Sequence, residues 1–115
     1  MGGPATPAIG NVGLVMVLNL TLSPTSVAPN TSAEQTFTVP GLHLGDFVSV
    51  YSSGANQAGL EITNSRATAN GTIGITFGNL TAATITPTAS TVYNVFVARC
   101  ETYGETASAP SGISA

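Results

Sequence analysis

Lysine is missing from this 115-residue chain, and its only basic residues besides His43 are Arg66 and Arg99. Charged residues make up 6% of the sequence, against roughly 25% in an ordinary soluble domain. Two arginines cannot neutralise a row of phosphates, which excludes nucleic acid as a partner. They cannot form the basic patch that an anionic membrane surface attracts either. Cys100 is the single cysteine, so no disulfide can form within the chain. Cys100 and His43 are the only soft ligands, too few for a structural zinc site. No loop carries two carboxylates, as a calcium loop would. Tryptophan is absent and tyrosine occurs three times, at Tyr51, Tyr93 and Tyr103. That scatter is a poor stacking platform for sugars. The longest apolar run, Gly13 to Leu18, falls well short of the roughly 20 residues that cross a bilayer. Nothing before Asn11 is charged, so the basic start of a secretory signal is missing too.

What is present is apolar and small. Hydrophobic residues supply 43% of the chain and the formal net charge is only −3, which argues against disorder. Ala, Gly, Ser and Thr make up nearly half of the sequence. A domain of this length buries roughly two-thirds of the surface its unfolded chain exposes. With no disulfide or metal, stability rests on packing. So few charges give weak protection against self-association. Such a surface is best understood if much of it faces another protein. Asn19, Asn30, Asn70 and Asn79 each head an Asn-x-Ser/Thr triplet, which the richness in Ser and Thr accounts for.

Alternation of apolar and polar residues predicts short strands throughout and no helix. Val12 to Leu22 places Leu14, Met16, Leu18, Leu20 and Leu22 on one face. Val15 and Val17 make the opposite face apolar, so the first half of this strand is expected to be covered on both sides. Further strands are expected at Glu34–Val39, Asp46–Tyr51 (Val48 and Val50 inward), Leu60–Thr63 and Arg66–Ala69. The pair Asn70-Gly71 is a hairpin signal. Thr72–Phe77 follows, with Ile73, Ile75 and Phe77 inward. Gly78-Asn79 reads as a turn and Thr81–Thr86 as another strand. Thr91–Arg99 closes the series, with Tyr93, Val95 and Val97 on one face and Val92, Phe96 and Ala98 on the other. About eight such strands predict a single-domain all-β sandwich, with a jelly roll first and an immunoglobulin-like sandwich second. The sandwich is expected over residues 12–100. Residues 1–11, rich in Gly and Pro, and the polar residues 101–115 read as extended arms.

Few residues suggest chemistry. His43 and Asp46 lie close in GLHLGD, between two strands, and could act as a general base with an orienting carboxylate. The same stretch also reads as a turn bent at Gly41 and Gly45. Glu34, Asp46 and Glu61 could form a carboxylate pair only if the fold gathered them. Cys100 reads as a small packed residue, and Arg66 and Arg99 as residues of salt bridges to the acids or of subunit contacts. No enzymatic activity, cofactor or metal is expected.

The stretch Ser26 to Arg99, about two-thirds of the chain, resembles small virion proteins of tailed bacteriophages. The resemblance rests on the EQTFTVPGL strand and turn, the QAGL loop exit, the ITF strand and the closing apolar strand. It looks most like the capsid decoration, or cement, proteins. That resemblance implies a structural protein on the outer capsid surface of the virion. Its partners would be the major capsid protein and further copies of itself, as a dimer or trimer, and it would need no catalytic residue or cofactor. The residues expected at a partner interface are Pro4, Pro7 and Ile9 in the arm and Val15 and Val17 on the first strand. Two other functions fit a β-domain of this kind. One is a tail or fibre domain that binds a receptor, and the other is a carbohydrate-binding jelly-roll module.

Overall fold

The computed structural model describes residues 12–100; the two expected arms, with Pro4, Pro7, Ile9 and Tyr103, lie outside the described residues. Six strands form: β1 (Val12–Leu22), β2 (Thr31–Thr38), β3 (Phe47–Ser52), β4 (Leu60–Ala69), β5 (Thr72–Asn79) and β6 (Thr91–Cys100). They make two three-stranded antiparallel sheets, one in the order β1-β6-β3 and one in the order β2-β5-β4. The sheets pack face to face as a β-sandwich, the expected fold class. The eight strands of a jelly roll are not present among the described residues. The pairing order instead follows the immunoglobulin-type layout for five strands. There β2, β5 and β4 take the places of strands B, E and D, while β3 and β6 take those of C and F. The first strand, β1, lies where the last strand, G, would pair.

The core sits between the central strands, because only a central strand has neighbours on both edges. Ile73, Ile75 and Phe77 of β5 and Tyr93, Val95 and Val97 of β6 are all buried. The Phe77 and Tyr93 rings meet edge to face at 6.2 Å and 87°, which ties the two sheets together. Val27, Val39 and Leu42, from the connections, close the ends of the core. The Ser65 hydroxyl donates to the Val48 carbonyl at 3.2 Å, a further link between β4 and β3.

Six strands rather than eight result from two local events. Leu60–Thr63 and Arg66–Ala69 are one strand, because Asn64 and Ser65 keep pairing with Thr76 and Ile75 of β5. Irregularities after Ile62 and after Ala67 absorb the extra residues. The expected strand Thr81–Thr86 does not form; only Ile85 bridges, to Val27. Gly78-Asn79 is the end of β5 rather than a turn. The Asn79 side chain is buried, and it organises the loop that follows. Its amide donates to the carbonyls of Val27 at 3.0 Å and Ala83 at 2.8 Å, and its oxygen accepts from the Thr81 amide and hydroxyl. Side chains that bond the local backbone in this way replace a ladder. The strand β2 begins at Thr31 rather than Glu34, since Thr31, Ser32 and Ala33 pair with Asn79, Gly78 and Phe77.

Candidate interface on the β1-β6-β3 sheet

The two sheets present opposite chemistry to solvent. On the β2-β5-β4 sheet the outward residues are Thr, Ser, Gly, Asn and charged groups. Glu34 of β2 and Arg66 of β4 reach across the central strand and pair at 2.7 and 2.8 Å. They pass directly over Gly74. A Cβ at that position would lie 2.5 Å from the Glu34 carboxylate and 2.7 Å from the Thr68 methyl. The bare backbone of Gly74 is what lets this ion pair lie flat on the sheet. The Arg66 guanidinium holds the Glu34 carboxyl below the usual carboxylate range.

The outward face of β1-β6-β3 carries no charged side chain. Register places Val15, Ala98 and Phe47 in one row across the three strands and Val17, Phe96 and Ser49 in the next. Asn19, Asn94 and Tyr51 form a third row, and Thr21 stands beside Val92. The face is thus apolar at one end and neutral-polar at the other. Val15 is 59% exposed, Val17 65%, Phe47 66% and Phe96 41%. The cover expected over Val15 and Val17 is not supplied by the described residues. Val12 pairs with Cys100 at the apolar end. Phe47 and Tyr51 belong to the same face, although of the strand residues only Val15 and Val17 were expected at a partner interface. The signal for them was the inward reading of Val48 and Val50, which sends their neighbours outward.

The remaining candidates resolve into structural roles. Asp46 is buried and receives a two-pronged contact from Arg99, at 2.8 Å to each carboxylate oxygen. Arg99 also donates to the Gly41 carbonyl at 2.9 Å, and the His43 backbone amide donates to Asp46 at 2.9 Å. Gly41 and Gly45 both take positive φ, so GLHLGD is the turn its glycines suggested. The contact from His43 comes through its backbone amide, so this is not a base-and-carboxylate dyad. The Arg99 guanidinium, aided by the His43 amide, keeps the Asp46 carboxyl below its ordinary range against the opposing effect of burial. The three acids are not gathered: Glu34 and Asp46 each answer a different arginine. Cys100 is exposed, not packed: it ends β6, where among the described residues only Val12 pairs with it. Among the described residues no three His, Cys, Asp or Glu side chains converge, and no helix is long and apolar enough to cross a membrane.

A cleft of about 410 Å³ opens between the sheets, walled by Tyr93, Phe77, Leu60 and the loop from Gly54 to Gln57. Burial pushes the Tyr93 phenol up. Three of the polar side chains of the cleft serve the fold. The Gln57 side chain donates to the Thr86 carbonyl and accepts from the Thr88 amide, both at 3.0 Å. The Ser52 hydroxyl accepts from the Gly54 amide, and the Thr91 hydroxyl donates to the Thr88 carbonyl. A ligand pocket wants convergent free polar groups; here the side chains of Ser52, Gln57 and Thr91 are turned on the backbone instead.

Compared with protein-family models, with curated proteins and with solved structures, the chain matches none.

Proposed function

We propose that the chain is a structural virion protein that binds the outer surface of a phage capsid and stabilises contacts between major capsid subunits. The observation that carries this reading is the uncharged, apolar outward face of β1-β6-β3, set against a fully polar face on the other sheet. An open three-stranded sheet face suits another protein surface better than it suits a small molecule. Its valines and phenylalanines supply apolar area for the centre of such a contact, and its Ser, Asn and Thr supply hydrogen bonds without the desolvation cost of charges. The resemblance to decoration proteins points the same way. So does the scarcity of charge, which leaves the isolated chain poorly guarded against association.

Labelling of intact particles with an antibody against the full chain tests this reading. The expected result is signal over the head surface, lost when Phe96→Lys replaces the native chain. Signal confined to the tail supports the receptor-binding alternative instead. Absence from particles altogether overturns a virion role.

A further inference from the structure

We propose that the free edge of β1 pairs antiparallel with β1 of a second copy, joining two three-stranded sheets into one six-stranded sheet about a two-fold axis. This deepens the self-association part of the capsid reading and identifies the partner surface as an edge rather than a face.

Among the described residues the sandwich has four free strand edges, and three are guarded in the ways that natural sheets use. The β2 edge carries Glu34. The β4 edge carries Glu61 and Arg66 and is broken twice in register. The β3 edge is only six residues long. The β1 edge is eleven residues long, with no charge and no proline, and its one register shift lies at its start, between Val12 and Leu14. An edge of that length offers a row of unpaired backbone groups to any strand that can lie alongside it.

The packing of β1 leaves room for such a strand, as partly buried inward side chains do on every edge strand of the sandwich. Leu14, Met16, Leu18, Leu20 and Leu22 point toward the core, yet each is only half-buried, and Val15 and Val17 on the other face are exposed. The adjoining strand β6 buries Tyr93, Val95 and Val97 almost completely. A flat partner docked on the outward face would cover the valines and leave the leucines half-bare. A strand added at the edge brings neighbours to both faces at once, and its inward side chains continue the core past Leu18 and Met16.

A second copy fits as that strand. Each copy is formally −3, and the β1 edge carries no charge to oppose its counterpart. The strand is also self-complementary. With the axis perpendicular to the sheet, residues that face each other across it have numbers of the same parity, so core side chains meet core side chains. An axis through Val17, the midpoint of β1, sets Leu18 opposite Met16 and Leu20 opposite Leu14.

Amide hydrogen exchange on the full chain in solution, alongside its mass by light scattering, tests the proposal. In an isolated edge strand only the amides directed at β6 are protected, so protection alternates along the strand. The expected result is a dimer in which consecutive β1 amides from Leu14 to Thr21 are all slowed. Val17→Lys then yields a monomer with alternating protection and an unchanged β-sheet spectrum. Should that variant misfold, Asn19→Lys, at an outward position that is already polar, replaces it. Tyr51→Lys, on the same face but on the opposite edge strand, leaves the dimer intact. A monomeric native chain, or a dimer that keeps the alternating pattern and dissociates with Tyr51→Lys, overturns the proposal. A solution dimer that never appears on heads would sink the capsid reading and leave this one standing.

Discussion

The two sheets bury nearly the same kind of inward face and show solvent opposite outward ones. On the β2-β5-β4 side, Thr36, Gly74, Thr76 and the Glu34–Arg66 pair make a surface that needs nothing further. On the β1-β6-β3 side, Val15, Val17, Phe47 and Phe96 stand exposed in adjacent rows. Folding requires only the inward faces, so the outward difference is informative about what the protein meets. The ion pairs differ in the same sense. Asp46–Arg99 sits at the rim of the apolar sheet with side chains 2% and 21% exposed, and it fixes a loop. Glu34–Arg66 lies open on the polar sheet, where solvent and salt weaken it.

The largest effects are expected inside, where the sheets are alike. Ile75→Ala removes a side chain with no exposed surface and should cost roughly 2–5 kcal/mol in urea unfolding, from lost burial plus the cavity left behind. Thr76→Ala, one residue on and facing out, should cost under about 1 kcal/mol. Equal costs would mean that the register of β5 is off by one residue. Asn79→Ala removes four hydrogen bonds of a buried side chain and leaves the Thr81 amide without its acceptor, and should cost about 1–3 kcal/mol. Chemical denaturation of the variant checks this.

Much of that interior was legible in the sequence because strict alternation specifies a register by itself. TIGITF and TVYNVFVAR could be read that way, and both bury the residues expected. The misreadings share a cause. Asn64-Ser65 and Gly78-Asn79 look like breaks by composition, yet β5 pairs through the first and ends on the second. Whether a polar residue breaks a strand or is satisfied within it depends on partners distant in sequence, such as Val27 for Asn79. The candidate interface was half visible for a similar reason. Val15 and Val17 stood out within one strand, but their rows with Ala98, Phe96 and Phe47 exist only through pairing. The open edge of β1 depends on sheet order and could not be read at all.

A third prediction separates the two ion pairs by acid. The folded-state pKa of Asp46 is depressed, chiefly by Arg99. Its contribution to stability is therefore present above the unfolded carboxyl pKa of about 4, and is lost as pH falls through the lower folded value. Melting temperature should drop on acidification below about pH 4, and Asp46→Asn should lower it at neutral pH while flattening that acid limb. Glu34→Gln, on the open pair, should change the neutral melting temperature less, and the change should shrink further in high salt. A steeper acid limb in the Asp46→Asn variant would contradict this assignment.

The smallest stability effects belong to the outward apolar face, and that is the point of the comparison. Val17→Thr and Phe96→Thr should each shift unfolding free energy by about 1 kcal/mol or less, because neither residue is buried in the isolated domain. Their solubility should rise, and concentration-dependent light scattering should fall relative to the native chain. A large loss of stability in either would mean that this face is held within the fold itself.

Oxidative footprinting of the chain, free and in its assembled particle, tests the central claim most directly. The account predicts that Phe47, Tyr51, Phe96 and the β1 valines become protected on assembly, while Thr36, Thr76 and Arg66 stay as reactive as in the free chain. Protection that falls on the β2-β5-β4 face, or on neither face, would contradict it.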